Sequence, residues 1–148
     1  MVGLLCGAAS SLFLRLLDVA THARQAHPAW VYALPVAGLC LGWLYERFGA
    51  SIAGGNNLVL DTMHVGGPTL PLRMAPMVLL GTVATHLFGG SAGREGTAVQ
   101  MGASLADALA LRLRASPETR RRLLAAGVAG GFGSVFGTPV AGALFAME

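Results

Sequence analysis

The chain has 148 residues, of which 54% are hydrophobic and only 11% are charged, and its formal net charge is +3. Soluble domains carry about 25% charged residues, so this composition excludes an ordinary soluble fold. Together with the lengths of the apolar runs, it predicts an integral membrane protein.

The positive charge comes from arginine alone, because the chain contains no lysine. Half of the basic residues form one short cluster between apolar segments: Arg112, Arg114, Arg120, Arg121 and Arg122. No aromatic residues interleave with this cluster, as they do in surfaces that bind single-stranded nucleic acid. The cluster is typical of a loop beside a membrane, and we expect no nucleic-acid partner.

Two apolar runs near the N-terminus, residues 2–19 and 30–48, are long enough to cross a bilayer at about 1.5 Å of helix per residue. Between them we expect a loop over residues 21–28, closed by a proline that disfavours helix in the residue before it. The second run carries aromatic residues toward both ends, as segments with interfacial anchors do.

Residues 50–64 are too short and too polar to span. Two glycines, then Asn56 and Asn57, open a short apolar turn, which predicts a half-helix that begins inside the protein. The start of a helix presents unpaired N–H groups and a partial positive charge. Asparagine is also a good helix cap, and capping is the alternative role of Asn56 or Asn57.

A third apolar run over residues 70–88 leads into a glycine-rich turn that holds Arg94 and Glu95, and another run follows from residue 97 to residue 113. Within a bilayer such a break is tolerated only where protein or a water-filled cavity satisfies the freed backbone groups. We therefore expect this turn to be a functional site.

The last third of the chain predicts two more helices. Ser116 is expected to cap a helix that starts at Pro117 and runs into a glycine-dense stretch, and Pro139 begins another helix. Pairs of glycines four residues apart predict close helix packing: Gly3 and Gly7, Gly38 and Gly42, Gly127 and Gly131, and Gly133 and Gly137. The chain stops within an apolar segment, so we expect residues 1–148 to be one membrane domain fragment.

Two interrupted helices in a bundle rich in small residues are typical of a binding site near the membrane midplane. The N–H groups of residues 93–97 and 55–58 predict an anion site, because helix starts bind anions without a full positive charge. Partial charges also allow the anion to leave again.

A carboxylate in an anion site repels the ligand, so Glu95 needs an explanation. We expect it to occupy the site itself when no anion does, and to leave when it is protonated, which exchanges one proton for anions. Burial disfavours its charge, whereas N–H donors favour it. The alternative is that Arg94 and Glu95 only stabilise a turn.

An enzyme is not predicted. The glycine-rich turn lacks the Gly-Lys-Ser/Thr ending of a phosphate-binding loop and fails the G-x-G-x-x-G spacing. No His-x-x-x-His, Cys-x-x-Cys or Ser/His/Asp constellation occurs, so we expect neither a metal site nor a cofactor.

Two segments resemble signatures of the CLC family of chloride channels and proton-coupled anion antiporters. Residues 93–97, Gly-Arg-Glu-Gly-Thr, are similar to that family's G-(K/R)-E-G-P, with Gln100 and Gly102 following as they do there. Residues 136–148 are similar to its F-N-A-P-L-A-G-I-L-F-x-x-E. The resemblance implies an all-α, polytopic membrane fold with tilted and half-spanning helices. That fold is an inverted repeat, and this chain is expected to be its first part.

The resemblance also implies site roles. Glu95 corresponds to the gating glutamate and proton acceptor, and Asn56 to a central serine that contacts the anion. Asn56 and Thr97, the latter in place of proline, are departures that resemble the fluoride-exporting bacterial branch. Fluoride is small and strongly hydrated, and an amide NH₂ offers two donors to replace its water. The expected anion-binding residues are Asn56, Gly55, Asn57, Gly93, Arg94, Gly96 and Thr97.

The expected function is thus halide/proton antiport, most specifically of fluoride, in the inner membrane of a bacterium. The partners are an inorganic anion, protons and lipid, and the resemblance implies a homodimer of the full-length protein. Two alternatives stay open: a passive chloride channel of the same family, and a membrane scaffold that transports nothing.

Overall fold

The computed structural model describes residues 1–64 and 67–147, and every regular element among them is helical. The predicted all-α fold is therefore confirmed. The helices are α1 (Val2–Ala26), α2 (Leu34–Phe48), α3 (Gly55–His64), α4 (Met74–Leu87), α5 (Arg94–Arg112), α6 (Pro117–Phe136) and α7 (Pro139–Phe145), with short 3₁₀ helices at Pro28–Ala33 and Ala50–Ile52.

The first helix is longer than predicted, because residues 21–26 continue α1 instead of forming a loop. The hydroxyl of Thr21 donates to the carbonyl of Leu17 at 2.8 Å, and Nδ1 of His22 lies 2.9 Å from the carbonyl of Asp18. These polar side chains bond to the preceding helical turn, so they do not break the helix. The helix ends at Ala26, shortly before Pro28, because proline disfavours the helical conformation in the residue that precedes it.

Two stretches are long and apolar enough to cross a membrane: Val2–Ala26, with 25 residues, and Pro28–Phe48, with 21. The second stretch begins as 3₁₀ helix, and α2 contributes no buried residue to the fold of this chain. Several of its apolar side chains, Val36, Leu39 and Trp43 among them, are exposed. This surface is the part of the chain that a lipid environment suits best.

The predicted third span is a shorter helix than expected. Pro68 and Pro71 keep the chain irregular before residue 74, and α4 has only 14 residues, about 21 Å of helix. The half-helix predicted from residue 56 is α3, with 10 residues, which is about 15 Å. Neither helix reaches across a hydrocarbon core of about 30 Å.

Helix α5 is the centre of the bundle and packs against α6, α4, α1 and α3. Its contact with α6 is made by glycines. A Cβ atom at Gly102 would meet the carbonyl of Gly127, and one at Gly131 would meet the carbonyl of Ala98. The close packing predicted for Gly127 and Gly131 is thus confirmed. Gly3, Gly7, Gly38 and Gly42 instead face open space in this chain.

The buried core lies around this contact. It is made of side chains from five helices and from the short segments that precede α3 and α4: Phe13, Leu17, Ile52, Val59, Leu70, Met74, Ala75, Val78, Leu79, Val99, Met101, Ala103, Leu124 and Val128. The core fixes the positions of α3 and α5, on which the candidate site is built.

Candidate functional site

Helix α3 begins at a glycine whose backbone conformation most other residue types rarely adopt. Gly55 has φ +53°, the left-handed region that side chains disfavour. The carbonyl of Gly54 accepts hydrogen bonds from the N–H groups of Asn57 at 3.0 Å and Leu58 at 3.4 Å. The prediction that residues 55–58 all present free N–H groups is therefore wrong for these two, because a local turn satisfies them.

Helix α5 begins without a cap. Its N-cap residue, Gly93, is extended and has no side chain that could accept from the first N–H groups, and the helix starts at Arg94. In the part of the chain that the structure describes, no backbone carbonyl accepts from the N–H groups of residues 94–97. Helix α6 differs, because the Ser116 hydroxyl accepts from the N–H of Thr119, as predicted. The start of α5 thus offers four free donors, which is the chemistry of an anion site.

The two helix starts converge. Nε2 of Gln100 on α5 donates to Oδ1 of Asn56 on α3 at 3.0 Å. A Cβ atom at Gly96 would lie 3.3 Å from Nδ2 of Asn56, and one at Gly55 would lie 3.6 Å from Nε2 of Gln100. The absence of side chains at both glycines lets the two amides approach the first turn of α5.

Glu95 and Arg94 point in different directions from the same turn. Oε2 of Glu95 lies 3.1 Å from the position that a Cβ of Gly93 would take, so the carboxylate folds back over the start of its own helix. Arg94 instead lines a small cavity against α1, together with Asp18 and Thr21. A carboxylate in the first turn interacts favourably with the helix dipole.

The expected burial of Glu95 is not seen within this chain, where Glu95 and Asn56 are both exposed. The reason is geometric. Both residues lie at the starts of α3 and α5, and the packing of α1, α4 and α6 against α5 leaves them uncovered.

A hydroxyl pair ties the first turn of α5 to α4. Oγ1 of Thr97 donates to the carbonyl of Gly93 at 3.2 Å, and Oγ1 of Thr82 lies 2.6 Å from Oγ1 of Thr97. Because Thr97 uses its proton on Gly93, Thr82 is the donor to Thr97. Both threonines are buried. This bond is possible only because residue 97 is not a proline.

The two members of the amide pair line different cavities. Gln100, Gly55 and Thr97 line one of about 470 Å³, between α2, α4 and the start of α5. Asn56 and Val99 line another of about 280 Å³. The hydrogen bond between Gln100 and Asn56 therefore joins a residue that lines one cavity to a residue that lines the other.

Reasoning from the sequence did not find the pairings of Gln100 and of Asp107. Both are strongly polar residues within the apolar run that follows the glycine-rich turn. Because buried polar groups are almost always hydrogen-bonded, this pattern predicts that each of them has a partner. Asp107 is fully buried, and its carboxylate accepts from Arg120 and from the N–H of Leu70.

Comparison with known proteins identifies relatives of this chain. The sequence profile described as "Voltage gated chloride channel" matches residues 37–148. The "Chloride/fluoride channel protein" of Pseudomonas syringae pv. tomato is 55% identical over the whole chain, which covers 33% of that protein. The "H(+)/Cl(-) exchange transporter ClcA" of Yersinia pseudotuberculosis serotype IB is 37% identical over 90% of the chain and 29% of the relative.

The fold has a counterpart among solved structures. A crystal structure of a CLC-type fluoride/proton antiporter matches 99% of this chain and 37% of its own, with a TM-score of 0.94 and 38% sequence identity. The chain spans about a third of the length of the relatives that it matches. These relatives are channels and transporters, so the chain is part of an integral membrane protein, and it belongs to the voltage gated chloride channel family.

Proposed function

We propose that this chain forms the anion-binding part of a membrane transporter that exchanges fluoride for protons. The observation that carries the proposal is the convergence of two helix starts, where Nδ2 of Asn56 lies beside Gly96 and the N–H groups of residues 94–97 are uncapped. Helix starts supply partial positive charge, and no fixed cation is needed.

The anion ligands in this proposal are the Asn56 side chain and the backbone of residues 93–97. Each N–H donor carries a fraction of a charge, so the site binds an anion and also releases it. Fluoride loses a strongly held hydration shell on entry, and the two hydrogens of an amide nitrogen replace part of that shell.

Glu95 is the proposed gate and proton acceptor. Its carboxylate lies over the start of its own helix, where free N–H groups favour an anion. When it is ionised it takes the place of the transported anion. When it accepts a proton it loses its attraction to the N–H groups and leaves the site, so each exit moves a proton and admits an anion.

Two relatives support the proposed exchange of an anion for protons. One is a CLC-type fluoride/proton antiporter and another is named a proton/chloride exchange transporter, and both match this chain over most of its length. The activity of a whole transporter belongs to a protein about three times as long as this chain. We also propose that the full-length protein lies in the inner membrane of a bacterium, with lipid around α2, and that it forms a homodimer.

The second candidate is a passive anion channel. It is favoured by one observation, namely that the 55% identical relative is named a channel for chloride and fluoride. In that case the anion ligands stay the same, and Glu95 blocks the path without carrying protons.

The deciding experiment is flux in proteoliposomes that contain a full-length protein carrying this chain. A fluoride gradient is expected to drive proton movement, and Glu95→Gln is expected to abolish that movement. Glu118→Gln is the control, because Glu118 pairs with Arg122 on an exposed surface away from the site. Fluoride flux without proton movement in the unmodified protein would show that the protein is a passive channel. No flux of either ion would show that it is a scaffold that transports nothing.

The anion preference has its own test. Asn56→Ser keeps one hydroxyl donor in place of two amide donors, and we expect the preference for fluoride over chloride to fall about tenfold. An unchanged preference, measured as competing flux or binding, contradicts the assignment of Asn56 as the selective ligand.

A further inference from the structure

We propose that Gln100 is a positioning residue that sets the orientation of the Asn56 carboxamide and thereby the anion preference of the site. The inference rests on the proposed function and adds to it a residue that does not itself bind the anion. Its basis is the hydrogen bond from Nε2 of Gln100 to Oδ1 of Asn56, 3.0 Å long, between helices α5 and α3.

An asparagine side chain has one end that attracts anions and one that repels them. Its Nδ2 carries two donors, and its Oδ1 is an acceptor only. Rotation by half a turn about the last side-chain bond exchanges them with little change in shape. A ligand residue of this kind therefore needs a partner that selects one of its two orientations.

In the structure Gln100 is the partner that holds one of these orientations, through the bond from its own NH₂ group. Because its NH₂ group donates to Oδ1, the favoured orientation of Asn56 is the one that keeps both Nδ2 hydrogens free. In that orientation the nitrogen is the nearer atom to the first turn of α5: a Cβ at Gly96 would lie 3.3 Å from Nδ2 and 3.7 Å from Oδ1. The donors of Asn56 thus lie beside the uncapped N–H groups of α5.

The position of Gln100 is itself constrained by both helix starts. Its Nε2 lies 3.7 Å from the Cβ position of Gly96 and 3.6 Å from that of Gly55. Gly55 is held in the left-handed region with φ +53°. The amide of Gln100 thus occupies the space that two glycines leave between α3 and α5, which limits its freedom to turn away from Asn56.

Two substitutions distinguish the hydrogen-bond donor of Gln100 from the space that its side chain fills. Gln100→Met keeps the length of the side chain and removes the donor, so Oδ1 of Asn56 loses the partner that holds it away from the anion. Gln100→Glu reverses the polarity, because a carboxylate only accepts and pairs with Nδ2 instead. Gln100→Glu also adds negative charge, so we expect its effect to be the larger.

The test is a double-mutant cycle on a full-length protein carrying this chain, with fluoride and chloride binding measured by calorimetry in detergent. We expect Gln100→Met to weaken fluoride binding about tenfold and chloride binding less, in protein that elutes and unfolds like the unmodified form. In an Asn56→Ser background the same substitution is expected to change fluoride binding by less than about twofold. Thr85→Val is the matched control, because Thr85 lines the same cavity and its hydroxyl donates to the carbonyl of Gly81 in its own helix.

An equal loss of fluoride affinity in both backgrounds, or no loss in either, overturns the role of Gln100 and leaves the antiport proposal intact. Gln100→Glu repeats the cycle if Gln100→Met does not fold. Binding without proton-coupled flux in the unmodified protein contradicts antiport alone, and the cycle then still decides the role of Gln100. An unmodified protein that binds no halide overturns both proposals.

Discussion

The guanidinium of Arg120 donates two hydrogen bonds to the carboxylate of Asp107, at 2.6 Å from Nε and 2.9 Å from Nη2. That carboxylate has no exposed surface, and its Oδ2 also accepts from the N–H of Leu70 at 2.7 Å. One buried charge thus joins α5, α6 and the segment before α4. The neighbouring Arg121 donates to the carbonyl of Met63, near the end of α3, at 2.9 Å.

Removing this carboxylate is expected to be costly. Asp107→Ala leaves the N–H of Leu70 without its acceptor and the charge of Arg120 partly buried without its partner. Breaking a buried ion pair from one side costs about 3–5 kcal/mol, and we expect an apparent loss of that size in thermal unfolding in detergent. The control is Glu118→Ala, because the ion pair of Glu118 with Arg122 is 76% and 78% exposed and is expected to contribute nothing measurable. Equal effects of the two substitutions would show that the buried pair is not a structural anchor.

The glycines between α5 and α6 are expected to tolerate no side chain. A Cβ at Gly127 would lie 2.5 Å from both the Cβ of Ala106 and the carbonyl of Gly102, so Gly127→Ala must push the two helices apart. We expect a loss of about 1–3 kcal/mol or failure to fold, measured as the yield of monodisperse protein and its unfolding temperature. Gly3→Ala is the matched control, because nothing lies within 4 Å of its Cβ position. Alanine there is expected to stabilise α1 by up to about 1 kcal/mol. If Gly127→Ala were equally harmless, the helix contact would not depend on glycine.

The hydroxyls of Thr82 and Thr97 are expected to act as a pair. Thr97→Val leaves the buried hydroxyl of Thr82 without its acceptor, which costs about 1–3 kcal/mol. Replacing both threonines by valine removes donor and acceptor together, and we expect the double variant to be no less stable than Thr97→Val alone. Unfolding of the two single variants and the double variant measures this coupling. Simple addition of the two single effects would contradict a bond between the hydroxyls.

Two alanine substitutions at the start of α5, one at its N-cap and one in its first turn, are expected to separate anion binding from proton coupling. A methyl group at Gly96 would lie 3.3 Å from Nδ2 of Asn56, whereas one at Gly93 would lie 3.1 Å from Oε2 of Glu95. We therefore expect Gly96→Ala to weaken fluoride binding several-fold. Gly93→Ala is expected to change the number of protons moved per fluoride more than the fluoride affinity. Each variant serves as the control for the other, and identical effects on both measurements would contradict separate roles for Asn56 and Glu95.

The positions of the helix starts were predictable to within a few residues, because their causes are local. These causes are Gly54 and Gly55 at the start of α3, the glycines before α5, and Ser116 with Pro117 at the start of α6. They act through backbone freedom and capping within one turn. The error at residues 21–26 has a local cause too. Thr21 and His22 were treated as loop residues, but their side chains bond to carbonyls of the preceding helical turn.

The sequence by itself determined that this chain belongs in a membrane, that it is helical, and that two of its helices start at glycine-rich breaks. Only the tertiary structure decided that these breaks meet, that Gln100 holds Asn56, and that Asp107 is held by Arg120. The physical reason is range. A cap or a glycine acts on its own turn, whereas pairings between helices depend on how glycines such as Gly102 and Gly127 let α5 and α6 approach, and that approach is set by the packing of the whole bundle.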